Sequence, residues 1–327
     1  MNRTLAQFKV LFVLGLLLIS ILAGSGLAQE EDVSKFPSRP INFIIPIPPG
    51  GGTDLALRLI CKEAEKSLGQ PFVVVNKPGA GQSIGMAAIA VAKPDGYTIG
   101  QSGTSGQVLL PHIEKVPYNT LKDFRQIIQC GGFNFGMFVK PDSPFKTFKD
   151  VIAFARQNPK KLTYGCTVSS IQYLIMEQIG KVEKVQFTHI PFKGTPEVQT
   201  ALLGGHILLG IGDFNYSLVE ADQIRLVLLL REERSAEYPQ VPILKELGYD
   251  DVPAPYYLGI CGPKAMPDGV VKKLEDAFAK AMKEPAYIKG MKELALPILY
   301  RSGRDLDGYV AHSFEAFGKI YRETQKK

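Results

Sequence analysis

Apolar runs of strand length alternate with amphipathic runs of helical period through most of this chain, and the first three strand runs each end in a loop of glycine, serine and threonine. Residues 41–47 read as a buried strand that gives way to Pro48-Pro49-Gly50-Gly51-Gly52-Thr53-Asp54. Apolar residues then recur at helical spacing over 55–68, until Gly69 and Pro71 stop the helix. Residues 72–75 form the next predicted strand, followed by a turn-rich stretch at 76–83 and a helix of small residues at 84–92. A third strand at 97–101 runs into a polar glycine-rich loop at 102–107. The second half repeats the pattern, with strands predicted at 133–139, 162–164, 185–191, 207–211, 225–230 and 257–261. Helices are predicted at 148–157 and 171–180, another opens at Thr195-Pro196, and two more run from Pro267 to about 283 and over 305–321. Such alternation specifies an α/β fold with mostly parallel sheets, in which ligands bind outside the carboxyl ends of the strands.

The N-terminus reads as an address. Arg3 and Lys9 precede an apolar run at 10–22, and small residues Gly26 and Ala28 follow, which is the pattern of a secretory signal cleaved after Ala28. The apolar run is shorter than the roughly 20 residues needed to cross a bilayer, and no cysteine near the cut offers a lipid attachment point. Removal of residues 1–28 leaves 299 of the 327 residues, enough for two domains. It also lowers the net charge from +6 to +4, too small and too scattered for a nucleic-acid groove. Cys61, Cys130, Cys166 and Cys261 are far apart, with no CxxC pair and no zinc spacing, so a metal is not expected and buried free thiols are, with one disulfide left open.

The richest signal is the glycine run ahead of the first helix. The first amides of a helix lack internal partners and sit at the positive end of its dipole, so a glycine lead-in lets a carboxylate approach them closely. Thr53 adds a hydroxyl, while Asp54 competes for the same donors. Taken alone, the loop is equally a tight turn with a Thr or Asp cap.

The motifs Phe36-Pro37-Ser38-Arg39-Pro40-Ile41, Pro48-Pro49-Gly50-Gly51-Gly52-Thr53-Asp54, Leu68-Gly69-Gln70-Pro71, Asn76-Lys77-Pro78-Gly79-Ala80-Gly81 and Lys93-Pro94-Asp95-Gly96-Tyr97-Thr98, in this order and spacing, resemble the substrate-binding component of tripartite tricarboxylate transporters, the TctC or Bug family. Looser similarity continues through Pro191-Phe192-Lys193-Gly194, Leu202-Leu203-Gly204-Gly205-His206 and Pro239-Gln240-Val241-Pro242. The resemblance implies a two-lobed periplasmic binding protein of type II-like form, with two α/β domains joined by a two-crossing hinge. The expected bounds are 33–132 plus 253–327 for domain 1 and 133–252 for domain 2. It also implies capture of a small organic carboxylate, delivery to integral membrane subunits of a transporter, action as a monomer, and no cofactor. Carried over by position, the ligand loops supply Gly51, Gly52 and Thr53; Gln82 and Ser83; Thr104 and Ser105; Ser169 and Ser170; and Asp213. Two positions depart from the family: Tyr173 stands where a histidine is usual, and Leu208 where an aspartate is usual.

Plainer roles are open to these residues. Ser83, Thr104 and Ser170 suit helix caps, Asp213 an ordinary loop, and Tyr173 core packing. Two other functions compete. Gly81-Gln82-Ser83-Ile84-Gly85 spells the GxSxG of serine hydrolases, although residues 76–80 separate it from the strand, where a nucleophile elbow needs a sharp strand-to-helix turn. A ligand-sensing domain for a signalling partner would use the same fold. A dinucleotide or P-loop site is disfavoured by the lack of GxGxxG at Gly50 and of GK[ST] anywhere.

Overall fold

The computed structural model describes residues 33–167, 170–249 and 256–324. The expected signal at 1–28 lies outside the described residues. The chain divides into Met1–Phe36, whose described part is a 3-10 turn at Val33–Lys35, and Pro37–Lys327, which carries both sheets.

The first half runs β1 (Ile41–Ile45), α1 (Gly52–Leu68), β2 (Phe72–Asn76), α2 (Ser83–Ala90), β3 (Thr98–Gly103), a π-helix (Thr104–Leu109), α3 (Leu110–Ile113) and β4 (Phe124–Gly132). The second runs β5 (Phe135–Val139), α4 (Phe148–Gln157), β6 (Thr163–Thr167), α5 (Ile171–Glu183), β7 (Thr188–Phe192), α6 (Thr195–Leu203), β8 (Leu209–Asp213), α7 (Tyr216–Glu220) and β9 (Arg225–Leu229). The chain then returns as β10 (Tyr257–Pro263), α8 (Asp268–Ala281), α9 (Pro285–Glu293), β11 (Arg301–Ser302) and α10 (Gly303–Thr324).

These strands form two sheets, ordered β11-β4-β10-β3-β1-β2 and β7-β6-β8-β5-β9. Each has one plan: three parallel strands, then a strand that arrives from the other sheet and pairs antiparallel on both sides. The two crossings, β4 to β5 and β9 to β10, therefore both lie at the carboxyl ends of the parallel strands. Gly103 at the end of β3 is paired with Leu258 at the start of β10, and Asp213 at the end of β8 with Phe135 at the start of β5. The carboxyl edges of both sheets consequently lie beside the crossings.

Local chemistry accounts for the elements. Ile41, Phe43 and Ile45 are fully buried, each worth roughly 1.5–3 kcal/mol of apolar burial. α1 buries Ala56, Leu57, Ile60, Ala64 and Leu68, and stops where Gly69 turns left-handed (φ 69°) and donates to Glu65 O at 2.8 Å. α4 opens with a reciprocal Thr147–Asp150 capping box. Val108 and Leu109 of the π-helix, Leu306, Val310 and Phe317 of α10, and Ile171 and Ile175 of α5 share one apolar core, so the last helix packs against elements of both sheets. All four cysteines are buried and free.

Helices α3, α7 and α9 and the short β11 are not among the elements expected from the sequence, and three further differences lie near the crossings. Residues 102–107 are not a loop: β3 continues to Gly103 and the rest is π-helix. β4 is a strand that hydrophobic pattern did not reveal, because Gln126 and Gln129 are buried in it beside Ile127 and Ile128. β5 starts at Phe135, which leaves Phe133 and Asn134 as the first crossing.

Candidate binding site

At the start of α1 the chain leaves Gly50 at φ +93° and enters the helix through Gly51, whose φ of −77° and ψ of 163° any residue can adopt. A Cβ on Gly51 would meet nothing within 4 Å, and one on Gly52 only Leu296 Cδ1 at 3.9 Å. The fold thus has no steric need for glycine at either position, and the space above the helix mouth is left open. No side chain caps this end, and Leu55 N–H makes the first intrahelical bond, to Gly51 O at 3.0 Å. Asp54 does not compete for the amides that remain. Its buried carboxylate accepts from Gly50 N at 2.9 Å, Arg58 Nε at 3.0 Å and Asn76 Nδ2 at 2.8 Å, bracing the loop against the end of β2. Burial alone would raise its pKa, but the bonds from Arg58, Gly50 and Asn76 outweigh that and hold it below the usual carboxylate range.

The second loop carries two non-glycine residues in the left-handed region, Ala80 (φ 43°) and Gln82 (φ 86°), a local strain of the kind that clusters at binding sites. It reaches its neighbours on both sides. A Cβ on Gly85 would lie 2.5 Å from Pro46 Cβ, beyond β1, and one on Gly106 would lie 2.8 Å from Gln82 Oε1. Only glycine at these places lets the second loop close on the first and third. The N-cap of α2 is Gln82 and not Ser83, whose N–H donates to Ala80 O and whose φ of −62° and ψ of −30° are ordinary helix values, without the strain of a nucleophile elbow.

Thr104, 3 % exposed, begins the π-helix with a hydroxyl that has no partner among the described residues, and half-buried Ser105 follows it. Single π turns often mark functional sites. This one is tied down by Tyr118 OH, which donates to Gly106 O, and by Thr120 Oγ1, which donates to Gln107 O at 2.5 Å. Gln107, unnoticed in the sequence, accepts at Oε1 from Ser102 Oγ (2.6 Å) and Tyr257 OH (3.2 Å), while its buried Nε2 has no partner among the described residues.

On the facing edge, Ser169 lies outside the described residues. Ser170 is the N-cap of α5, its Oγ accepting from Tyr173 N at 3.3 Å. Tyr173 is half-buried, with its ring 5.0 Å from that of His189, which also stacks on Tyr164 and reaches Cys166 Sγ at 3.3 Å. Burial pushes the Cys166 thiol up to about 12 and His189 down, so the pair holds no thiolate at neutral pH. At the first crossing Asn134 O accepts from Phe214 N at 2.9 Å and Asn134 Nδ2 donates to Ala295 O at 2.6 Å, placing Asp213 one residue from the junction of the sheets. Tyr256, at the second crossing, stacks on Phe135 (4.2 Å, 19°) and forms the floor between them.

Comparison with known proteins decides the family. The family model described as "Tripartite tricarboxylate transporter family receptor" matches residues 56–325. The chain belongs to this family. It is 38 % identical over 310 residues to the UPF0065 protein in the gbd 5'region of Cupriavidus necator, covering 93 % of this chain and 91 % of that protein. It is 26 % identical to the protein BugT of Bordetella pertussis, over all of this chain and 99 % of the relative. Among solved structures, a ligand-free TctC solute-binding protein from Polaromonas superposes with a TM-score of 0.82 at 27 % identity, over 88 % of this chain and 99 % of that one.

For a TctC-family receptor, this arrangement offers neutral donors rather than a cationic clamp. Arg58, beside the α1 mouth, is engaged by Asp54 and Asn76. Among the described residues no group of three or more His, Cys, Asp or Glu could hold a metal, and no helix is long and apolar enough to cross a membrane.

Proposed function

We propose that this TctC-family chain is exported with cleavage near Ala28 and works in the periplasm as a monomeric receptor for a small organic carboxylate, which it delivers to membrane subunits of a tripartite transporter. The uncapped start of α1, with open space over Gly51 and Gly52, carries the reading. A carboxylate fits there because free amides and the helix dipole favour an anion without a cationic side chain. In this reading Gly51, Gly52, Thr53, Gln82, Ser83, Thr104 and Ser105 bind from the domain formed by 33–132 and 253–327. Ser169, Ser170 and Asp213 bind from 133–252, and the two close about the crossings. The ordinary backbone of Ser83 supports binding rather than catalysis.

A thermal-shift screen of the exported protein against organic acids and their amides tests this. A ligand at a hundred times its Kd adds about 2.7 kcal/mol to stability, and the acid alone should raise the melting temperature. No shift with any acid, together with ester hydrolysis abolished in Ser83→Ala, would overturn the receptor reading.

A further inference from the structure

Arg301 is fixed to the first sheet. It lies opposite Gln129 in the β11–β4 ladder, donates from Nη1 to Gln129 Oε1 at 2.8 Å, and covers the Tyr309 ring of α10 at 4.2 Å. Its Nη2 reaches Glu232. Glu232 belongs with the second sheet, because it follows closely on β9, and Leu230 between them still donates to Phe135 O of β5 at 2.8 Å.

Strand order puts this pair on the far side of the crossings from the binding loops. In the first sheet β3, β1 and β2, which carry those loops, lie to one side of the crossing strands β4 and β10, and β11 lies to the other. In the second sheet β8, β6 and β7 lie to one side of β5, and β9 is the opposite edge. The pair therefore ties outer edge to outer edge. With Phe133, Tyr256, Tyr257 and Tyr309 it lines a pocket of about 210 Å³, so the edges meet here across open space and not through packed side chains.

On the inner side, Gly50, Gly51 and Gly52 at the α1 mouth are exposed, and in this conformation the second sheet and its loops do not cover them. Covering them takes a rotation about the crossings, and a rotation that draws the inner edges together carries the outer edges apart. An ion pair is lost beyond about 4 Å.

We infer that the Arg301–Glu232 pair is a latch that holds the open form and so weakens capture of the acid. The inference rests on the hinge-closing receptor reading above. Where the closed form is the minor one, the apparent affinity is reduced by the fraction closed. Removing the latch raises that fraction and the affinity with it, although neither residue stands at the binding loops. Glu232 is 40 % and Arg301 22 % exposed, so the pair is a modest one and its loss should tighten binding by roughly two- to fivefold.

The test is isothermal titration of the exported protein with succinate, malate, glutarate, adipate and citrate, the tightest binder being taken through the variants. Glu232→Gln should bind it roughly two- to fivefold more tightly, and Glu232→Lys, which sets two like charges together, more tightly still. Melting temperatures should stay level or fall, so that affinity and stability move apart, which a merely structural role would not produce. Asp276→Asn removes an exposed ion pair with Lys272 inside α8 and should bind as the parent does. Affinity that is unchanged or weakened in both Glu232 variants, or an equal gain in Asp276→Asn, would overturn the latch and leave the receptor standing. Binding by none of these acids, nor by any in the wider screen, would overturn both.

Discussion

Arg301 and Glu232 pair across the second chain crossing, joining edge strand β11 of the first sheet to the segment that leaves β9 of the second. Arg301 also donates to Gln129 Oε1 at 2.8 Å and lies over the Tyr309 ring at 4.2 Å. The arginine is thus held mainly by its own sheet and helix, and the glutamate comes to it.

The two partners should therefore respond unequally to substitution. Glu232 is 40 % exposed, and Glu232→Gln should cost less than about 1 kcal/mol, as partly solvated ion pairs do. Arg301→Ala also loses the bond to Gln129 and the stacking on Tyr309, and should cost about 1–2 kcal/mol. Urea unfolding of both variants measures this. Equal losses would mean that the ion pair alone carries the stabilisation.

Asp54 links the binding loop to acid stability. Its folded pKa is depressed below an unfolded value of about 3.9, so the unfolded chain binds more protons at acid pH. The stability it contributes is complete above that unfolded value and is lost as pH falls through the folded one. Asp54→Asn should therefore lower stability at pH 7 and flatten the loss below pH ~4. Denaturation at a series of pH values gives the slope directly, and an unchanged slope would assign acid sensitivity to other carboxylates.

Thr104 is the opposite case, a buried hydroxyl with no partner among the described residues. Thr104→Val should raise ligand-free stability by up to about 1 kcal/mol, because an unsatisfied polar group is removed. If that hydroxyl donates to the bound acid, the same change should weaken binding roughly tenfold. A stabilised variant of unaltered affinity would place Thr104 outside the site.

Much of the fold was legible because it rests on repeating patterns. Buried β1 and the α1 stripe Ala56, Leu57, Ile60 and Ala64 follow period rules that one chain suffices to display. The family motifs placed the first two loops of the first sheet. Polar burial was hidden. Gln126 and Gln129 disguised β4, and the place of Gln107 became visible only when Ser102 and Tyr257 met it from 5 and 150 residues away. The π-helix was misread as a loop for the same reason, since Tyr118 and Thr120 hold its carbonyls from outside the segment. Tyr256 carries no motif, and its place at the floor depends on Phe135, reached across the whole second sheet.

Gly51 separates what the fold needs from what the proposed carboxylate site needs. Alanine fits its backbone, with φ at −77°, and the added methyl would touch nothing within 4 Å. Gly51→Ala should leave the structure intact and, by restricting the unfolded chain, add about 0.4–1 kcal/mol of stability. The methyl would nevertheless stand over the uncapped amides of α1, where a carboxylate has to come within hydrogen-bond distance. Affinity for the acid that gives the largest thermal shift should fall by roughly tenfold or more, the cost of a lost charge-assisted bond. Gly50→Ala is the matched control, because its φ of +93° strains any side chain, so it should lose stability as well as affinity. A Gly51→Ala protein that is more stable and binds the acid unchanged would move the anion away from α1, and with it the main support for a carboxylate receptor.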